Sequence, residues 1–183
     1  MLFRSVKVDG KIYFYENDPV YDKGFRGKLK ATIMLGEGGA GLGASLDLLI
    51  GRKKAENFKY FYFDGSIELP DPLSIPLTSS MRLFGFRGGV YHHVKRVGDN
   101  YVPDKQTIFG IKGGVAIGLD SRKAFHAKLT LEAAFDKNGI ASMFFDGDGY
   151  VFTDYQTGFN KYPGTQPVYL GVNMSFDFIG NRI

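Results

Sequence analysis

Apolar and polar residues alternate one for one along most of this chain. Val168, Leu170, Val172, Met174, Phe176 and Phe178 interleave with Tyr169, Gly171, Asn173, Ser175 and Asp177 without a miss. Phe125, Ala127, Leu129, Leu131, Ala133 and Phe135 alternate likewise against His126, Lys128, Thr130 and Glu132, with Ala134 a small exception. A period of two belongs to the β-strand, whose successive side chains point to opposite faces. The pattern recurs over 28–35, 45–50, 58–63, 81–97 and 109–119. Asp9-Gly10, between Val6-Lys7-Val8 and segment 11–15, predicts a tight hairpin turn, because Asp-Gly tolerates the left-handed backbone such turns need. Asp136-Lys137-Asn138-Gly139 and Asp146-Gly147-Asp148-Gly149 predict two more. Segment 21–27 reads as a polar connection, and 66–80, with Pro70, Pro72 and Pro76, as a loop or sheet edge. No helical period separates the strands. The expectation is an all-β chain: an antiparallel meander of about ten strands, forming an open twisted sheet or a barrel-like one.

One strand pattern occurs twice. Phe84-Gly85-Phe86-Arg87-Gly88-Gly89-Val90 returns 25 residues later as Phe109-Gly110-Ile111-Lys112-Gly113-Gly114-Val115. The two differences exchange like for like, Phe for Ile and Arg for Lys. Alternation puts Gly88 and Gly113 on the apolar face with Phe84, Phe86, Val90 and His92 in one copy and Ile111 in the other. The gap each leaves is expected to be filled by an aromatic ring from 58–63. Gly89 and Gly114 lighten the opposite face and permit strong coiling. The four glycines are thus read as a structural device that bends a sheet.

Composition narrows the classes. The chain has 183 residues, enough to bury a sizeable core as one domain spanning 1–183. Gly is 25 of 183, about twice the usual share. That abundance, with a 15% aromatic content, again favours β structure. The net charge of +4 is mild and its cations are dispersed, so no nucleic-acid partner is expected. With no Cys, disulfides, thiolate metal sites and Cys nucleophiles are excluded. No apolar run approaches the ~18 residues of a membrane helix, and no signal-peptide pattern is visible. Met1-Leu2-Phe3-Arg4-Ser5 reads as a translated adapter remnant, so the chain is expected to be a piece of a longer protein.

The candidate chemistry is thin. Gly36-x-Gly38-x-x-Gly41 follows a strand, as in a dinucleotide fold, but no further βα alternation supports it, and a Gly-rich hairpin is the better reading. Asp146-Gly147-Asp148-Gly149 lacks the distal acid of a calcium loop. Adjacent strand residues His92 and His93 face opposite ways and cannot share a metal without a bulge, and His126 has no identifiable partner. His93, Lys95, Arg96 and Lys105 could rim the 98–106 loop, where a solvated loop is the simpler account. No catalytic, cofactor or metal site is assigned. Tyr60, Tyr62 and His92 are the candidates to line a ligand site if the sheet closes into a carrier barrel.

Several phrases together resemble a known module. Phe58-Lys59-Tyr60-Phe61-Tyr62-Phe63-Asp64, the Pro-rich stretch to Leu77, and Leu83-Phe84-Gly85-Phe86-Arg87-Gly88-Gly89-Val90-Tyr91-His92-His93 are similar to a recurring, TANFOR-like module of very large exported or surface proteins of Bacteroidetes-type bacteria. The module's strands read roughly RYWY-D and GFGGG-YYHM. This chain departs from them with Phe61 in place of Trp and Arg87 in place of Gly. Tyr101-Val102-Pro103-Asp104 also fits, and the similarity covers 28–153. The resemblance implies a non-enzymatic structural or interaction module of the bacterial cell envelope or exterior. Its partners would be other modules of the same polypeptide or envelope components. It carries over no catalytic residue. The alternatives are an outer-membrane β-barrel fragment, for which ten-residue alternating strands are the signature, and a barrel carrier of a small apolar ligand. Stability in plain buffer without detergent would exclude the integral barrel.

Overall fold

The computed structural model describes residues 3–35, 41–70, 73–120, 124–153 and 168–179. It is built of strands: β1 (Phe3–Asp18), β2 (Asp22–Leu35), β3 (Gly41–Lys53), β4 (Phe58–Glu68), β5 (Ile75–Pro76), β6 (Met81–His92), β7 (Val94–Val97), β8 (Asn100–Pro103), β9 (Phe109–Leu119), β10 (Phe125–Asp136), β11 (Gly139–Val151) and β12 (Val168–Asp177). One sheet runs β1-β2-β3-β4-β6-β9-β10-β11-β12, with the short β5 beside β6, and β7 pairs with β8 separately. Every neighbouring pair is antiparallel. The predicted all-β meander is therefore the observed architecture, and the sheet is open, with β1 and β12 as its edges.

Three local expectations fail for one reason. Asp9-Gly10 is not a turn, because β1 runs straight through it opposite Lys30 and Leu29. The β1–β2 turn comes after Asp18, whose carboxylate accepts the amides of Val20 and Tyr21 at 2.8 Å. Segment 22–27 is accordingly strand, not connection. Asp146-Gly147-Asp148-Gly149 lies in mid-strand, paired to β10 on one side and β12 on the other. Turn-prone dipeptides yield to a ladder that satisfies their amides and carbonyls from neighbouring strands. The predicted strand 81–97 is divided by His93, which sits at φ 51° and starts the separate β7–β8 hairpin. Gly41 opens a strand, not a helix, while Gly36 and Gly38 lie outside the described residues.

The sheet is inverted relative to an ordinary soluble one. In β4, Tyr60, Tyr62, Asp64, Ser66 and Glu68 are buried, whereas Phe61, Phe63 and Ile67 are exposed. In β10, His126, Lys128, Thr130 and Glu132 are buried and Leu131 is 50% exposed. Register carries the exposed face across strands: Leu48 opposes Phe63, Phe63 opposes Val90, and Val90 opposes Ile111. The inner face carries the polar residues, and the sheet curls around it. At one end the β7–β8 hairpin folds onto that face, packing Val94 and Tyr101 against Leu49, Phe58, Tyr60, Tyr62, Tyr91 and Ala134.

The two copies of the repeat lie side by side and pair with each other. Gly88 opposes Gly113, Arg87 opposes Gly114, and Gly89 opposes Lys112. Each cation thus faces a glycine of the other copy, about a local two-fold through Gly88 and Gly113. No atom lies within 4 Å of a Cβ built at Gly88 or Gly113, so the expected aromatic filler is not there. The rings cover other glycines. A Cβ on Gly110 would meet the Tyr91 ring at 1.9 Å, and one on Gly51 would meet the Tyr60 hydroxyl at 2.2 Å. A Cβ on Gly89 would meet the Phe63 carbonyl oxygen at 2.8 Å, and one on Gly114 the Leu129 carbonyl oxygen at 2.7 Å. Gly110→Val is therefore expected to cost at least about 1–3 kcal/mol through overpacking. Gly88→Val should stay within about 0.5 kcal/mol. Denaturant midpoints of the two variants test this, and equal midpoints would remove the distinction.

Phe84 breaks the alternation. A register shift between Leu83 and Gly85 makes it a bulge, fully buried, while Phe86 remains 42% exposed on the outer face.

Candidate functional site

The inner face holds a connected set of charges. Asp64 of β4 is 4% exposed. Its carboxylate accepts the Tyr62 hydroxyl at 2.7 Å, the Arg87 guanidinium at 2.6 and 3.0 Å, and the Lys112 ammonium at 3.0 Å. The repeat explains the reach. Asp64, Gly89 and Lys112 stand in one row across β4, β6 and β9. With no side chain at Gly89, Lys112 spans a whole strand to its partner. Each copy alternates Gly, cation, Gly on this face: Gly85, Arg87, Gly89 and Gly110, Lys112, Gly114. That arrangement leaves room for long cations to lie flat along the sheet.

A second acid sits one step along. Glu132 of β10 is 1% exposed. It accepts the Tyr91 hydroxyl at 2.8 Å and the Tyr101 hydroxyl at 2.6 Å, with Arg96 at 3.7 Å. Burial, then the charge of Glu132, pushes the Tyr101 phenol up, so it stays protonated and donates. Lys112 also donates to the Tyr101 hydroxyl at 3.2 Å, which joins the two acids into one network. Tyr101 stacks on Tyr62 with centroids 4.0 Å apart. Arg96 of β7 pairs with Asp146 at 2.9 Å and lies over the Phe144 ring at 4.7 Å. The hairpin is thus tied to β4, β9, β10 and β11 by rings and charges together.

Beyond the hairpin the face opens into a cavity of about 750 Å³. Its wall runs from Arg26 and Asp47, paired at 2.7 Å, through Arg87 and Lys112, to Asp148 and Asn173. Tyr169 donates to Asp148 and Asn173 to Asp146.

The sequence-predicted residues are divided by this geometry. Tyr60 and Tyr62 are on the inner face, and Tyr62 borders the cavity. His92 is on the outer face, opposite Phe61 and stacked on it at 5.8 Å, with its Nδ1 2.5 Å from the Ile108 carbonyl oxygen. It does not join the two tyrosines. The basic residues around 98–106 do not form a rim: Arg96 turns inward, Lys95 is 3.4 Å from Asp104, Lys105 reaches the Glu56 carbonyl, and His93 packs on Phe58. Among the described residues no three His, Asp or Glu side chains converge as metal ligands. From the sequence, Asp64 is only the acid that could follow a dinucleotide-type glycine stretch and Glu132 only a polar residue of an amphipathic strand; neither is read as an ion-pair partner. The available signal was an acid on the polar side of a strand facing the cations of the repeat.

No helix of the described residues is long and apolar enough to cross a membrane. No family model, curated protein or solved structure matches the chain.

Proposed function

We propose that this chain forms the wall of an outer-membrane-type β-barrel, with its apolar face against lipid and its charged face toward a water-filled interior. One observation carries the reading: the enclosed face holds Asp64, Lys128 and Glu132, while Phe63, Val90, Ile111 and Leu131 face outward. In water this arrangement forgoes the burial that drives folding. In a bilayer it is the required one, since lipid-facing and interior residues alternate. Strand length agrees. The 11 residues of β4 or β9 rise about 36 Å and, tilted by about 45°, cross about 26 Å, close to the apolar band of such barrels. The role is structural and non-enzymatic, in the bacterial envelope, and the β7–β8 hairpin narrows the interior.

Fractionation tests this. The chain should leave the membrane pellet only with detergent and migrate differently before and after boiling. A monodisperse chain in plain buffer would refute the membrane wall and return the outer face to some other covering.

A further inference from the structure

Among the described residues the main path has nine strands, and all neighbours in it are antiparallel. Eight reversals bring the ninth strand back to the direction of the first. The edges β1 and β12 therefore run parallel to each other. Closing one directly on the other would place a lone parallel seam in an antiparallel wall. An odd number of added strands gives antiparallel pairing at both seams. Arg26 of β2, Asp47 of β3 and Tyr169 and Asn173 of β12 line one cavity, so the two ends of the sheet curl toward each other. One strand meets the parity.

The edges state the chemistry of that strand. Outward positions of β1 carry Val8, Ile12 and Phe14, and those of β12 carry Leu170, Val172 and Met174, all exposed. Inward positions of β1 and β2 carry Lys7, Lys11, Arg26, Lys28 and Lys30; Arg26 and Lys28 pair with Asp47 of β3 and Lys30 stands opposite Asp9, which leaves Lys7 and Lys11 of β1 as the surplus at the edge. Lys11 lies directly opposite Lys28, an unfavourable like-charge pair. Acids on the next strand would offset this row.

We propose that the open seam between β1 and β12 is the docking site for one partner strand, apolar outward and acidic inward, antiparallel to both edges. The proposal rests on the barrel-wall reading. It adds the number, direction and charge of what completes the wall, by strand addition to exposed edges.

The test uses the 183-residue chain in phosphatidylcholine vesicles with three 11-residue peptides: alternating Val and Glu, alternating Val and Lys, and a scrambled Val/Glu control. The Val/Glu peptide should bind about tenfold more tightly than the Val/Lys peptide, from a few edge charges of modest worth each. It should also raise the urea midpoint. Lys7→Glu with Lys11→Glu should reverse the preference. Equal binding of both peptides, or none, overturns the proposal. The Cys-free chain allows a second measurement, Lys7→Cys with Asn173→Cys. A disulfide within one chain would show direct closure and one between chains a second copy, and either overturns it. A chain that needs detergent but captures no peptide keeps the wall reading and loses this inference. One that leaves the membrane in plain buffer loses both.

Discussion

Asp64→Ala lowers the unfolding free energy by about 3–5 kcal/mol, the cost of removing one partner from a buried ion pair. The expectation follows from what is left behind. Arg87 and Lys112 both point at this carboxylate, and their side chains are only 20% and 6% exposed. The Tyr62 hydroxyl loses its acceptor as well. Two cations would then face each other across the emptied position without the carboxylate that both contact. Asp64→Asn should cost less, because it keeps an acceptor oxygen and the side-chain shape. Lys112→Ala added to Asp64→Ala should recover part of the loss, with a coupling of about 0.5–3 kcal/mol. Urea titrations in vesicles read all three variants. A loss for Asp64→Ala below about 1 kcal/mol, the range of an exposed pair, would mean that water reaches the cluster freely.

The second large effect is on the opposite face. Leu131→Arg should cost about 2–4 kcal/mol when the chain is folded in a bilayer. Leu131 lies near the middle of β10, flanked by Gly113 and Phe145, and is 50% exposed. A side chain so exposed would tolerate Arg in water within about 0.5 kcal/mol. The same change therefore separates lipid from water as the neighbour of this face. Depth supplies the control. Ile140→Arg, at the end of β11, should cost about 0–1 kcal/mol, as substitutions near the interface do. A flat profile, with Leu131→Arg and Ile140→Arg alike, is incompatible with a lipid-facing wall.

The hairpin adds a consequence for the interior. Glu132, Tyr101 and Arg96 hold β7–β8 against the wall. The hairpin is thereby fixed as part of the inner face. The resemblance to a module of giant surface proteins remains a proposal about context, and a lipid-facing wall is compatible with an envelope protein.

How far the sequence reaches can be judged from single elements. The alternation in β10 and β12 is enough to name them strands, because only a period of two sorts those residues onto two faces. The meander follows from strands separated by short connections. The repeat is visible as a pair of related strands, and its cations and glycines can be counted. The local signals fail where pairing on both sides outweighs them, as at Asp9-Gly10 and Asp146–Gly149. The bulge at Phe84 shows the limit of counting by twos: one extra residue leaves its ring fully buried and Phe86 exposed.

Which face is enclosed was beyond any local pattern. Alternation is symmetric, and the same sequence reads equally well with Leu131 or with Glu132 inward. The curl of the sheet and the hairpin on it decided it, by setting Asp64 beside Arg87 and Lys112 and Glu132 beside Arg96. Register decided that the two repeat copies pair about Gly88 and Gly113, so that each cation crosses a glycine. By itself, then, the sequence determined an all-β antiparallel meander and an amphipathic sheet, but not the ends of β1, β6 and β11. The tertiary structure alone decided that the sheet is inverted, because a charge is buried only when distant strands bring its partners to it.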